Sequence, residues 1–211
     1  IPKDQGDLGS CAVFAALGLV ESAIARATDE HVDLSEQHFI NVSPDWNANT
    51  GASPVAVFDF TINNGVVLEE FLPYIDGESD DVPNHPFDYK LDSYGSVLLD
   101  GKPLAERIQI LKDNIREHGP VISNIALYND LGTYESGIYQ GSESSGIVAG
   151  HWLLFTGWVD GDDLPGGGYW ICKNSWGTSW GEDGYCRVAF GDGCGIDDYI
   201  LYYVDGITFG K

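Results

Sequence analysis

Methionine is absent from this chain, and lysine and arginine together number only ten against 33 aspartates and glutamates. A chain without methionine does not begin at an initiator residue, so it is expected to be a processed product of a longer precursor. The shortage of base leaves a formal net charge of −23, which argues against nucleic acid or an anionic membrane as partner. No run of 18 or more apolar residues occurs, so no membrane span is expected. No signal peptide, internal repeat or low-complexity tract is visible.

What is present points to a packed protein. Hydrophobic residues make up 43% and aromatics 12% of the chain, well above the composition of a disordered segment. The length suffices for a large core, as one fold or two small lobes. The acidic residues are dispersed, with local clusters at Asp76 to Asp81 and Asp160 to Asp163. A solvated surface explains them most simply, beside a saline or acidic habitat or an attraction for basic substrates. Neither cluster fits a calcium loop: one starting at Asp160 would need its turn glycine where Pro165 stands. Asp160 to Gly168 reads as a flexible hairpin loop.

Apolar periodicity predicts helices from Cys11, around Ser35 to Asn41, around Pro54 to Asn64 and from Leu104 to His118. Strands are predicted at Val121 to Tyr128, Trp152 to Val159, Tyr169 to Lys173, Tyr185 to Phe190 and Tyr199 to Val204. Helices first and strands later imply an α+β chain with two lobes, residues 1–105 mainly helical and 106–211 mainly β.

Cys11 sits directly ahead of an apolar helical stretch. Ser10 is a suitable N-cap, and Val13, Leu17, Val20 and Ile24 form a stripe at helical spacing. Phe14, Ala15, Ala16 and Leu19 add apolar surface on other faces, so the helix is expected to be largely buried. Unpaired amides and the positive end of the macrodipole at a helix start favour thiolate over thiol. A lone cysteine is ordinarily a small buried hydrophobe, so other residues must carry a catalytic reading.

A nucleophilic thiol needs a base, and the base needs an orienting group. Of five histidines, His151 stands apart: it follows Ala149-Gly150 and opens the apolar run Trp152-Leu-Leu-Phe155, which places it at a strand end. Further on, Tyr169-Trp-Ile-Cys-Lys-Asn174-Ser-Trp176-Gly177-Thr-Ser-Trp180-Gly181 combines a strand, a neutral asparagine and a Trp-Gly turn. Asn174 can hold an imidazole N–H without adding charge, and Trp176 can shield that bond from water. A packing hairpin is the bland alternative for the same residues.

These segments together resemble the papain family of cysteine peptidases. Gln5 to Phe14, Leu34-Ser-Glu-Gln37, Asn64-Gly-Val-Val67, Leu72-Pro-Tyr74, Gly119-Pro-Val121, Ser136-Gly-Ile-Tyr139, Gly150-His151 and Tyr169 to Gly184 follow family order across nearly the whole chain. His151 lies 140 positions beyond Cys11 and Asn174 lies 163 beyond it, near the spacing typical of that family. The resemblance implies a two-lobed fold, a helical lobe and an antiparallel β-sheet or barrel lobe, with the active site in the cleft between. It implies Cys11 as nucleophile, His151 as proton carrier, Asn174 as orienting group and Gln5 as oxyanion donor beside the Cys11 amide. The reaction it implies is endopeptidase hydrolysis through a thioester, with no cofactor and no metal expected.

For the substrate, the resemblance implies contacts from Gly51, Ala52, Ser53, Pro54, Asn124, Ala149, Gly150, Trp176 and Tyr199. Tyr199 aligns with the floor of the main pocket, so a shallow pocket for small or medium apolar side chains is expected. Gly51-Ala52 stands where the family has a Gly-Gly that binds substrate backbone. No long insertion suggests an exopeptidase. The family's bridging cysteine three positions before the nucleophile is Leu8 here, its partner falls near Asn49, and a further one is Val42, so the usual three bridges cannot form. Ala12 replaces an aromatic. Cys172 and Cys186 flank the Trp-Gly turn and can oppose each other if the hairpin is centred on Ser179; two buried thiols are favoured over a bridge there, and Cys194 reads as a structural thiol. Expected partners are polypeptide substrates and an inhibitory propeptide or protein inhibitor, with a monomer acting in a secreted or lysosome-like compartment. A silent binding relative and a transglutaminase-like acyltransferase are the other readings; the intact Gln5, Cys11, His151 and Asn174 set argues against the first, and the Lys-Asn-Ser-Trp-Gly run against the second.

Overall fold

The structure, a computed structural model, describes residues 1–141 and 143–210. In chain order the elements are α1 Cys11–Thr28, α2 Glu36–Val42, α3 Pro54–Asn64, β1 Tyr89–Leu91, β2 Tyr94–Leu98, α4 Leu104–His118, β3 Val121–Tyr128, β4 Ile138–Tyr139, β5 Ile147–Asp160, β6 Gly168–Lys173, β7 Tyr185–Ala189, β8 Ile200–Val204 and β9 Ile207–Phe209. They form two compact units: Gln5–Gly95 with the segment from Val204 onward, and Ile1–Asp4 with Ser96–Tyr203. Each terminus therefore belongs to the unit that holds the opposite half of the chain.

The first unit is built on α1. Residues 12–20 and Ile24 are all buried, because apolar side chains occupy every face of the helix and not one stripe. Among the described residues, α1 is the one helix long and apolar enough by composition to cross a membrane; its burial here accounts for that apolarity. Leu17 is 1% exposed, so Leu17→Ala would cost about 2–5 kcal/mol. The helix stops at Asp29, which turns left-handed and returns its N–H to Ala25 O. The Ser35 hydroxyl caps α2 by accepting from His38 N at 3.0 Å, and Ser53 caps α3 by accepting from Ala56 N. Pro54 follows at the first helical position, where its missing N–H is not needed. β1 and β9 pair antiparallel, Leu91 opposite Ile207.

The second unit is a seven-stranded sheet in the order β2-β8-β3-β5-β6-β7-β4. It ends at β2 and β4 and does not close into a barrel. β3 pairs antiparallel with β5 and β8, β6 pairs antiparallel with β5 and β7, and β4 pairs parallel with β7. Ile125, Leu153, Phe155, Trp170, Val188 and Leu201 are fully buried in its core, each such side chain contributing roughly 1.5–3 kcal/mol. Leu111 brings α4 onto the same core. Lys112, on the neighbouring face of α4, pairs with Asp160 and lies 4.7 Å over the Phe190 ring.

The structure corrects several expectations. Ser10 occupies the N-cap position of α1 but makes no side-chain cap bond; its hydroxyl turns to Leu8 O and to Tyr74 Oη instead. The Trp152 strand begins earlier, at Ile147, so His151 lies inside a strand and not at its end. The intervening Ala149-Gly150 weakened the strand signal, but pairing to Leu127 and Ala126 of β3 holds them in register. The Asp160–Gly168 loop is tight: Gly161 N bonds Gly167 O and Leu164 N bonds Gly161 O. Cys172 and Cys186, by contrast, stand directly opposite one another as the buried thiols expected of them.

Candidate active site

In the sheet unit, β5 and the segment after β6 bring three side chains together. His151 is 3% exposed and Asn174 likewise 3%. Their His151 Nε2 and Asn174 Oδ1 atoms are 2.7 Å apart. The Ser175 backbone N–H donates to the same Oδ1 at 2.8 Å. An amide N–H must face an oxygen, so the carboxamide orientation is set, and Nε2 must be the donor to it. The neutral ring therefore carries its proton on Nε2 and leaves Nδ1 as the basic nitrogen. Trp176 stacks on the His151 ring with centroids 4.8 Å apart, and Trp180 meets Trp176 edge-on at 5.0 Å.

The Trp-Gly turn is fixed by its surroundings. Trp180 Nε1 donates to Leu131 O, Gly177 N donates to Lys3 O, and Asp4 bridges Trp176. At Gly184, φ is +86° and a Cβ would lie 2.5 Å from Pro2. The first residues of the chain thus pin the turn that carries Asn174 and Trp176.

Burial pushes the His151 pKa down to about 4, with the Asn174 bond opposing that shift. A desolvated imidazole avoids charge unless an anion stands beside it. His38 is also held down to about 4 by burial, but it is structural: Nδ1 accepts the Val67 N–H and the ring packs edge-on to Phe60. His85 stacks on Phe71 and His118 on Tyr203.

In the helical unit, Cys11 is the first residue of α1 and is partly exposed. Gln5 is 7% exposed, and its Nε2 donates to Leu8 O at 2.8 Å. Tyr74 Oη donates to Gln5 O at 2.7 Å, and the Asp76 carboxylate accepts from Asp7 N and Leu8 N. Tyr74 belongs to the Leu72-Pro-Tyr74 segment, whose family likeness carries no role for it; Asp76 has no sequence signal beyond its acidic cluster. Gly51 lies against the same loop: its φ is +69°, and a Cβ would fall 2.4 Å from Gly9 O. Pro54 is buried beside it, Ala52 half-buried and Ser53 exposed. Of the other predicted contacts, Asn124 is half-buried and packs over Gly150, where a Cβ would meet its Nδ2 at 3.3 Å. Ala149 and Gly150 are exposed, and Tyr199 is 49% exposed. The thiols of Cys172 and Cys194 are pushed up, chiefly by burial, so these two stay protonated and unreactive. Among the described residues no group of three or more His, Cys, Asp or Glu side chains has metal-ligand geometry.

The family model described as papain family cysteine protease matches residues 2–204. The chain belongs to the papain family. Within that family it is 31% identical to the oryzain gamma chain of Oryza sativa subsp. japonica over 95% of this chain and 55% of that one. It is 33% identical to Cathepsin B-like CP1 of Giardia intestinalis, over 96% of this chain and 68% of the other. This papain-family chain thus spans little more than half the length of some of its curated relatives. A structure of the bromelain protease from Ananas comosus, in complex with an inhibitor, superposes with a TM-score of 0.79 at 26% identity, covering 96% of this chain and 92% of that one.

Proposed function

We propose that the chain is a cysteine endopeptidase that cleaves polypeptides through a thioester intermediate. Family membership supports the reaction class. The observation that carries the reading is the buried relay from Ser175 N–H to Asn174 Oδ1 to His151 Nε2. It presents a neutral imidazole with Nδ1 free of a proton, the form a general base must have.

Cys11 is assigned as nucleophile, at a helix start that favours its thiolate. Its proton passes to His151 Nδ1. Burial, opposed by the Asn174 bond, holds the ring at about 4, so it charges only beside the thiolate, and the two groups titrate as a pair. Sγ attacks the peptide carbonyl, and the Gln5 side chain and the Cys11 N–H stabilise the oxyanion. His151 then delivers its proton to the departing amine. Water, deprotonated by the same nitrogen, opens the thioester. Trp176 keeps water from the His151–Asn174 bond.

Substrate binding is assigned to Gly51, Ala52, Ser53, Pro54, Asn124, Ala149, Gly150 and Tyr199, with a preference for small or medium apolar side chains two residues before the cut. A peptide library in which phenylalanine proves best at that position would overturn this preference. A Bos taurus relative, 30% identical, is named a pro-cathepsin H, which supports a precursor form; the same reading assigns an inhibitory propeptide and a secreted or lysosome-like site of action. The decisive experiment is hydrolysis of a fluorogenic dipeptide amide under reducing conditions from acid to neutral pH. Turnover by the wild type and none by folded Cys11→Ala is expected; no turnover by folded wild type sinks the reading.

A further inference from the structure

We infer that Asp76 is a positioning residue for the oxyanion site, acting as the brace of the Gln5–Ser10 loop. This rests on the endopeptidase reading above and adds to it a residue 65 positions beyond Cys11. The loop carries one assigned oxyanion donor, Gln5, and leads directly into the other, the Cys11 amide. Cysteines occur only at positions 11, 172, 186 and 194, so no disulfide within this unit can hold the loop. Hydrogen bonds must do so.

Asp76 supplies two of them. Its Oδ2 accepts from Asp7 N at 3.2 Å and its Oδ1 from Leu8 N at 3.1 Å. Charge-assisted bonds to consecutive amides fix both the position and the tilt of the peptide between them. The approach is so close that Gly6, at φ +60°, admits no side chain: a Cβ there would lie 2.2 Å from Asp76 Oδ2. Tyr74 adds a third grip, donating to Gln5 O at 2.7 Å. Its hydroxyl also lies 3.2 Å from that of buried Ser10, whose Oγ reaches Leu8 O at 3.4 Å.

The brace is itself anchored. Ile75 N donates to Gln37 Oε1 at 3.1 Å, and Gln37 Nε2 donates to Gly77 O at 2.8 Å, so α2 holds the residues on both sides of Asp76. Asp76 has φ +50°, a left-handed conformation costly for a residue with a side chain. Such a conformation persists where surrounding bonds over-determine it. The chain from Gln37 through Asp76 to the Leu8 amide is continuous, and it ends at the loop where the oxyanion donors sit.

The test compares Asp76→Ala and Asp76→Asn with wild type. Misplacing an oxyanion donor predicts a kcat on the order of ten- to a hundredfold lower in Asp76→Ala, with KM changed less than about threefold. Asp76→Asn, which keeps one acceptor, falls between. Alkylation of Cys11 by iodoacetamide forms no oxyanion, so its rate should stay within about threefold of wild type. In a Gln5→Ala background the further loss from Asp76→Ala should shrink well below its effect in wild type. Unchanged kcat, a parallel fall in alkylation, or an undiminished loss beside Gln5→Ala would each overturn the inference. If Asp76→Ala does not fold, Asp76→Asn carries the same comparisons. Amide exchange at Asp7 and Leu8 reads the brace without turnover: faster exchange in the variant is expected, and equal exchange overturns the brace even if the wild type proves to hydrolyse nothing.

Discussion

His151 Nε2 lies 2.7 Å from Asn174 Oδ1, and the Ser175 amide occupying the same oxygen decides which ring nitrogen holds the proton. Replacing Asn174 by alanine removes the partner and leaves the buried ring unoriented. We expect Asn174→Ala to lower kcat/KM by about ten- to a hundredfold, as for the loss of a hydrogen bond to a group that becomes charged, about 1.5–3 kcal/mol. Steady-state kinetics with the fluorogenic amide measure this. An effect below threefold would mean the ring is held by Trp176 alone.

Gly51 offers a steric test. A Cβ there would approach the Gly9 carbonyl to 2.4 Å, at φ +69°. Neither backbone can yield without moving the loop that precedes Cys11. Gly51→Ala should destabilise the protein by at least about 1–3 kcal/mol and lower turnover, measured by urea unfolding and kinetics on the same preparation. Wild-type stability in this variant would show that the loop relaxes freely.

His38 predicts an acid-side loss of stability. Burial holds it at about 4, against 6.5 for the unperturbed ring. The folded state therefore binds this proton less readily than the unfolded chain. The stabilisation is fully present above pH 6.5 and is lost as pH falls from 6.5 towards 4. Urea titrations across that range should show His38→Gln losing less stability than wild type; parallel curves would assign the acid loss to other groups.

The net charge of −23 predicts self-repulsion in the folded state. Raising salt from about 0.01 M to about 1 M shortens the Debye length from ~30 Å to ~3 Å. The melting temperature should rise by a few degrees over that range. A flat or falling curve would show that the carboxylates are locally compensated.

Much of the fold was legible because its signals are local. α3 runs from Pro54 to Asn64 as its Ser-Pro start and Gly65 stop indicate, with Ser53 capping Ala56. α4 and β3 likewise match their apolar patterns. β1, β4 and β9 were not legible: each has two or three residues, and they exist through pairing with distant partners, as Tyr89 does with Phe209. The start of β5 at Ile147 was hidden for the same reason, since Gly150 is a poor strand former held by its neighbour β3.

In the candidate site, the chemical groups could be read and their anchoring could not. Cys11 at a helix tip, His151 in a buried run and Asn174 before a Trp-Gly turn are residue types whose chemistry and local setting agree. Asp76 is one acid among 33, in a cluster that reads as solvated surface. Its bonds to Asp7 and Leu8 join residues 69 and 68 positions apart, a separation no local pattern reports. Ser10 shows the converse: its type suits an N-cap, yet its hydroxyl makes no cap bond and turns to Leu8 O and Tyr74 Oη.

The amino-acid sequence by itself determined the candidate reactive groups, the order of the longer helices and strands, and the apolar helix that carries Cys11, because these follow from side-chain chemistry and short-range periodicity. Only the tertiary structure decided that the His151 proton sits on Nε2, that β5 extends past His151, and that Asp76 braces the loop before Cys11. Those outcomes depend on hydrogen-bond partners brought together from remote parts of the chain.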